Sequence, residues 1–105
     1  MAYGEIAVGE LLALGDGVRV IDVREQDEWD DGHIPWALHV PLGTVPEQLA
    51  QFDGNPTYVV CRSGGRSGRA CEFVAGHGVD SVNVVGGMLA WWDAGFATDS
   101  GDANG

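Results

Sequence analysis

Cys61 stands between an apolar run, Tyr58-Val59-Val60, and the segment Arg62-Ser63-Gly64-Gly65-Arg66-Ser67-Gly68-Arg69, after which an amphipathic helical pattern begins. This places one thiol at a strand-to-helix turn that carries three of the chain's five basic residues. Thiolate is the attacking species in cysteine chemistry, and a free thiol with a pKa of about 8.5 is mostly protonated at neutral pH. Two features of the segment favour the anion. A helix opening near Arg66 or Ser67 presents unsatisfied N–H groups and the positive end of its dipole. Gly64 and Gly65 let the backbone curl so that successive amides face inward as an anion nest. Arg62 and Arg66 add guanidinium charge for the thiolate and for an incoming oxyanion, whereas Arg69, a turn further on, serves there or pairs with surface acids. The chemistry implied is a nucleophilic cysteine awaiting an anion. The bland alternative is an inert core thiol, and the polar, Gly- and Arg-rich flank argues against such burial.

Five Arg, no Lys and sixteen acids among 105 residues give a formal charge of −11. A general basic surface for nucleic acid or an anionic membrane is therefore disfavoured, and any anion must be captured locally. The length suits one compact domain, expected over residues 1–97, with 98–105 as a flexible polar tail. The start, Met1-Ala2-Tyr3-Gly4-Glu5, lacks a secretion signal, and no run approaches a membrane span, so a cytoplasmic location is expected. Cys61 and Cys71 form no CxxC and join no Cys/His group at zinc spacing, so neither a disulfide framework nor a bound metal is implied. No cofactor is called for.

Short β-branched runs alternate with helical patterns. Val18–Val23 reads as a buried strand ending near Asp22, and Glu25–Gly32 as a short helix with Trp29 inward. Ala37–Val40 is a brief strand between prolines. Thr44-Val45-Pro46-Glu47 matches a capping box, predicting a helix with Val45, Leu49 and Phe52 on one face that stops near Asp53-Gly54. Thr57–Val60 is a strand leading to Cys61. The next helix places Ala70, Phe73, Val74 and His77 on one face and closes at Gly78. Val82–Val85 is a further strand, and Gly86-Gly87 turns into a helix over Met88–Ala94. The pattern predicts an α/β fold with a mostly parallel sheet of about five strands and helices on both faces. Ligands in such sheets bind beyond the carboxyl ends of the strands, where Asp22, Arg24 and Cys61 all fall.

Three separated motifs resemble those of the rhodanese-like domains, sulfurtransferases that carry sulfur as a cysteine persulfide. Asp22-Val23-Arg24-Glu25, Glu28-Trp29 and Gly32-His33-Ile34-Pro35-Trp36-Ala37 resemble the family's D-x-R-x-x-x-E motif and its G-H-I-P-G-A turn. Cys61-Arg62-Ser63-Gly64-Gly65-Arg66-Ser67 resembles the active loop C-x-x-G-x-R-S. Gly86-Gly87-Met88-Leu89-Ala90-Trp91 resembles the closing G-G-x-x-x-W. The likeness runs from about Val18 to Gly95, and the preceding residues fit the family's first strand and helix. Trp36 replaces the usual glycine, and His39 a common asparagine, which bears on the pocket rim and not on the nucleophile.

The resemblance implies that Cys61 takes the outer sulfur of an anionic donor such as thiosulfate. A thiol, including a protein thiol, or cyanide would then accept it. It implies Arg62, Ser63, Gly64, Gly65, Arg66 and Ser67 as the substrate-binding loop, with Asp22 and Arg24 as a supporting pair. His33 and His77 read as structural, Trp91 as core, Trp92 as partly exposed and Cys71 as a core thiol. Two competing readings are a sulfur-relay or protein-interaction module fed by a protein partner and a phosphatase-like enzyme. Phosphatase loops hold one more residue between Cys and Arg than the four here, which disfavours that chemistry.

Overall fold

The structure, a computed structural model, describes residues 3–101. Five short strands form one sheet: β1 (Gly4–Ile6), β2 (Val20–Asp22), β3 (Leu38–His39), β4 (Thr57–Val60) and β5 (Ser81–Val84). They pair in the order β1-β5-β4-β2-β3, every pairing parallel. Parallel neighbours require crossovers; α1 (Val8–Leu14), α2 (Gln26–Asp31) and α3 (Gly65–Ala75) lie within the connecting segments, and α4 (Gly87–Asp93) follows β5. The first strand and helix expected from the resemblance are β1 and α1. Among the described residues no helix is long and apolar enough to cross a membrane.

Side chains alternate across a strand, and the β-branched runs use that alternation to feed two cores. Ile21, Val23 and Val59 pack with Ala70, Cys71 and Val74 of α3 and with Val45 and Phe52. Val20, Val60 and Val84 pack on the opposite side with Leu11 of α1 and with Met88 and Trp91 of α4. The sheet is thus covered on both faces. In its register Asp22 lies beside Val60 and His39, so the ends of β2, β3 and β4 open onto the same edge.

Three expectations change. The segment expected to form a capped helix from Thr44 is instead a 3-10 stretch over Leu42–Gln51, interrupted at Gln48 (φ −123°, ψ 28°). Thr44 lies inside it and directs both its N–H and its hydroxyl to the Pro41 carbonyl, at 2.8 Å each. Those tight local bonds, with Pro46 donating none, favour the narrower helix. Val45 and Phe52 are still buried.

In α3 the buried face is Ser67, Ala70, Cys71 and Val74. Phe73 lies off that face, 40% exposed, and His77 follows the helix end in a turn, its ring 4.8 Å from that of Phe73. Lastly, the segment after residue 97 does not leave the domain at once. His33 and Asp99 exchange two backbone hydrogen bonds of 2.9 and 3.0 Å, and the Gly101 N–H reaches the Asp30 carbonyl at 2.8 Å. The end of a helix leaves carbonyls without partners, and the returning chain meets one at the end of α2. Residues 102–105 lie outside the described residues.

The closing glycine pair has a specific task. Gly87 has φ +56°, and a Cβ there would collide with the carbonyls of Cys61 and Arg62. Its absence lets α4 approach until the N–H groups of Met88 and Leu89 bond those carbonyls at 2.9 and 3.1 Å. Gly87→Ala is expected to lower the urea midpoint by an amount equivalent to about 2 kcal/mol or more, from combined strain and displacement. A midpoint equal to the parent's would show that the close approach is not required.

Candidate active site

Cys61 directly follows β4. The expectation that its polar flank would keep it from the interior does not hold: the residue is 1% exposed and packs in the core with Ile21 and Val59. The sulfur itself faces the loop. Gly64, in a left-handed conformation (φ +114°) at the N-cap of α3, donates its N–H to Cys61 Sγ at 3.0 Å. The Ser67 hydroxyl lies 3.2 Å from the same atom. Burial pushes the Cys61 thiol up, but hydrogen bonds from the Ser67 side chain and from the backbone N–H groups of Ser67, Gly64 and Ser63 outweigh it. The thiol is left below its ordinary value.

The loop residues divide by position. Ser67 is buried beneath the sulfur, whereas Arg62, Ser63 and Gly65 are exposed around it and Gly64 is half-buried. Arg66 is turned elsewhere. Its guanidinium makes a bidentate pair with Glu28 of α2, at 2.6 and 2.8 Å, and the groups within hydrogen-bond distance of the sulfur are the Gly64 N–H and the Ser67 hydroxyl. Glu28 was recognised as part of a motif but not as the partner of Arg66. Asn83 was missed altogether. Its amide joins Ser67 and Gly64 beneath the loop. The available signal was a polar residue inside the apolar run Val82-Asn83-Val84-Val85.

Asp22 and Arg24 form a buried pair with Nη2–Oδ2 at 2.8 Å, and Arg24 also donates to the Gly32 carbonyl at 2.7 Å. This fixes the turn after α2 against the end of β2. Trp29, buried on α2, stacks between His33 (ring centroids 3.5 Å apart) and His39 (4.8 Å). Each imidazole donates to a backbone carbonyl at 2.8 Å, His33 to Trp29 and His39 to Arg24. Both are held structurally in this arrangement. Trp36 sits by the start of β2, lining an open hollow of about 420 Å³ with Arg19 and Asp53, at the end of the sheet opposite Cys61. Cys71 is a buried free thiol, pushed up by burial.

A parallel α/β sheet that delivers a hydrogen-bonded cysteine to a glycine-lined turn defines the class of fold and the candidate site. The chain belongs to the rhodanese-like domain family, whose model matches residues 7–94, and thereby to a sulfurtransferase family. It is 41% identical over 86 residues to the putative sulfurtransferase YtwF of Bacillus subtilis, covering 81% of this chain and 84% of that one. It is 28% identical over 104 residues to the thiosulfate sulfurtransferase GlpE of Pseudomonas entomophila, covering 97% and 95%. A rhodanese-like domain protein from Staphylococcus aureus superposes with a TM-score of 0.83 at 37% identity, covering 94% of this chain and 99% of that one.

The Glu28–Arg66 pair has a measurable pH signature. The Arg66 hydrogen bonds lower the Glu28 carboxyl from 4.5 to about 2. The folded value lies below the unfolded one, so the contribution is complete above about pH 4.5 and is lost as pH falls toward 2. Both side chains keep about a quarter of their surface in water, 28% and 24%. The expected cost of Glu28→Gln at pH 7 is therefore only about 1 kcal/mol. Urea unfolding should show the parent and Glu28→Gln converging across that acidic window. A gap that persists at pH 2 would rule out the ion pair as its source.

Proposed function

We propose that Cys61 is a sulfur-transfer nucleophile that accepts sulfane sulfur from thiosulfate, or a related anionic donor, and passes it to a thiol or cyanide. The thiolate attacks the outer sulfur of the donor. A Cys61 S–S bond forms as the donor's S–S bond breaks, and sulfite leaves with the electron pair. An acceptor thiolate or cyanide then attacks the outer persulfide sulfur and displaces the Cys61 thiolate. The two half-reactions predict ping-pong kinetics. Neither needs a general base at the sulfur where the lowered thiol supplies the thiolate, and sulfite leaves as an anion.

The observation carrying this reading is the hydrogen-bonded sulfur at the base of a turn whose rim is Arg62, Ser63 and Gly65. Donors that stabilise the thiolate also suit negative charge on a persulfide. Arg62 and the loop amides are assigned to the sulfonate end of the donor. Arg66 is assigned to holding the loop through Glu28 as well as to the local positive field.

A second reading, a persulfide relay that exchanges sulfur with a protein, is favoured by one observation. Leu89, whose N–H caps the Arg62 carbonyl, is exposed beside the loop, with Trp92 exposed on the same helix. Exposed apolar residues next to a reactive group suit a protein acceptor. Faster turnover with a protein thiol than with cyanide would favour the relay.

Intact-protein mass spectrometry after thiosulfate treatment is expected to show a gain of one sulfur atom, removed by reductant and absent in Cys61→Ser. That variant should keep the parent's fold by circular dichroism and lose all thiosulfate-dependent transfer. Turnover by Cys61→Ser, or sulfur loaded elsewhere, would overturn the assignment.

A further inference from the structure

Ser67 has one hydroxyl proton within reach of three acceptors. These are Cys61 Sγ and the Gly64 carbonyl, each at 3.2 Å, and Asn83 Oδ1 at 2.5 Å. A hydroxyl supplies a single donor, so these acceptors compete. Two oxygens 2.5 Å apart require a proton between them, which places the Ser67 proton on the Asn83 side. Asn83 is 7% exposed, and its amide cannot turn freely. Nδ2 donates to the Gly64 carbonyl at 3.1 Å, and a flipped amide would set two carbonyl oxygens face to face there.

We infer that Asn83 is a positioning residue for Cys61, a fixed acceptor that draws the Ser67 proton away from sulfur. While Cys61 is a thiol, its S–H faces the lone pairs of Ser67 Oγ and the Ser67 proton rests on Asn83. When the sulfur becomes an anion it is the stronger acceptor. The hydroxyl then rotates toward it and leaves Oγ and Oδ1 in an unfavourable contact. Ser67 therefore stabilises the anion less than an unopposed hydroxyl would. The restraint has a use, because nucleophilicity falls as a thiol becomes more acidic and attack is fastest when its pKa lies near the working pH.

The other charged or titratable groups around the sulfur are engaged differently. Asp22 and Arg24 at the end of β2 bind each other, Arg66 on α3 binds Glu28, Arg62 is exposed, Cys71 lies further along α3, and the Tyr3 hydroxyl lies against Gly68 on the Asn83 side. Among the described residues none of them hydrogen-bonds to Ser67 or Asn83.

The test is the pH profile of iodoacetamide alkylation at Cys61, read by mass spectrometry in the parent, Asn83→Leu, Ser67→Ala and the double variant. Asn83→Leu is expected to raise the thiolate fraction below the parent's midpoint about tenfold, the scale of one hydrogen bond to a charged group. In the Ser67→Ala background the same change should have no effect. An unchanged or raised midpoint in Asn83→Leu, or a shift that persists without Ser67, overturns the inference.

Should Asn83→Leu fail to fold, NMR on the unaltered protein decides. The Asn83 side-chain amide resonances should follow the Cys61 titration and cease to do so in Ser67→Ala; resonances that stay fixed, or that titrate equally without Ser67, overturn it. Alkylation needs no sulfur donor. A protein that passes this test but takes no sulfur from thiosulfate would sink only the sulfur-transfer reading.

Discussion

A buried sulfur anion is stable only where donors replace the water it has lost, and the structure around Cys61 answers that constraint. Burial alone would leave an inert thiol. The Gly64 N–H and the Ser67 hydroxyl reverse the balance, and both depend on the backbone around them. Gly64 must be left-handed for its amide to face the sulfur. Ser67 must fall on the buried face of α3, which the packing of Ala70, Cys71 and Val74 secures. From the other side, α4 closes on the Cys61 and Arg62 carbonyls because Gly87 has no side chain to obstruct it. The loop is held by two helix starts, one aimed at its sulfur and the other at its carbonyls.

Charge is distributed to the same end. In a chain of net charge −11, three of the five arginines are engaged by carboxylates: Arg19 by Asp53, Arg24 by Asp22 and Arg66 by Glu28. Among the described residues only Arg62 and Arg69 form no ion pair, and both are exposed beside or just beyond the loop. An anion approaching this surface meets uncommitted positive charge only there. That makes capture local rather than a property of the whole face.

What could be read from the chain follows from the distance over which each feature is decided. The strands at Val20, Thr57 and Ser81 are β-branched runs whose alternation is local, and the loop before α3 declares itself through adjacent glycines and arginines. Features decided by remote partners were less legible. The Thr44 signal looked like a helix cap because its neighbours fit one, yet the hydroxyl bonds back to Pro41. Phe73 fitted a hydrophobic face by spacing, but the extent of that face is set by β4 and β5. Asp99 looked like tail because its partner, His33, is 66 positions away (99 − 33). Asn83 resembled an imperfection in a strand because Ser67 and Gly64 complete its meaning only in three dimensions.

The Glu28–Arg66 pair explains why two motifs separated along the chain act as one unit. Asp22 and Arg24 bind each other, and Arg24 reaches forward to the Gly32 carbonyl, which anchors the end of α2 to the end of β2. That anchored helix carries Glu28, and Glu28 grips Arg66 in the first turn of α3. A buried ion pair is a poor source of net stability once desolvation is counted. Its value here is geometric, since several hydrogen bonds fix where α2 must lie. Removing Asp22 would leave a buried guanidinium without its charge partner and release α2, and through Glu28 the helix whose first turn forms the floor of the sulfur site. The acidic motif near the start of the chain is thus a structural arm of the cysteine loop, joined to it by the β2–β4 pairing, in which the Val23 N–H reaches the Val60 carbonyl at 3.0 Å, and by the Glu28–Arg66 salt bridge.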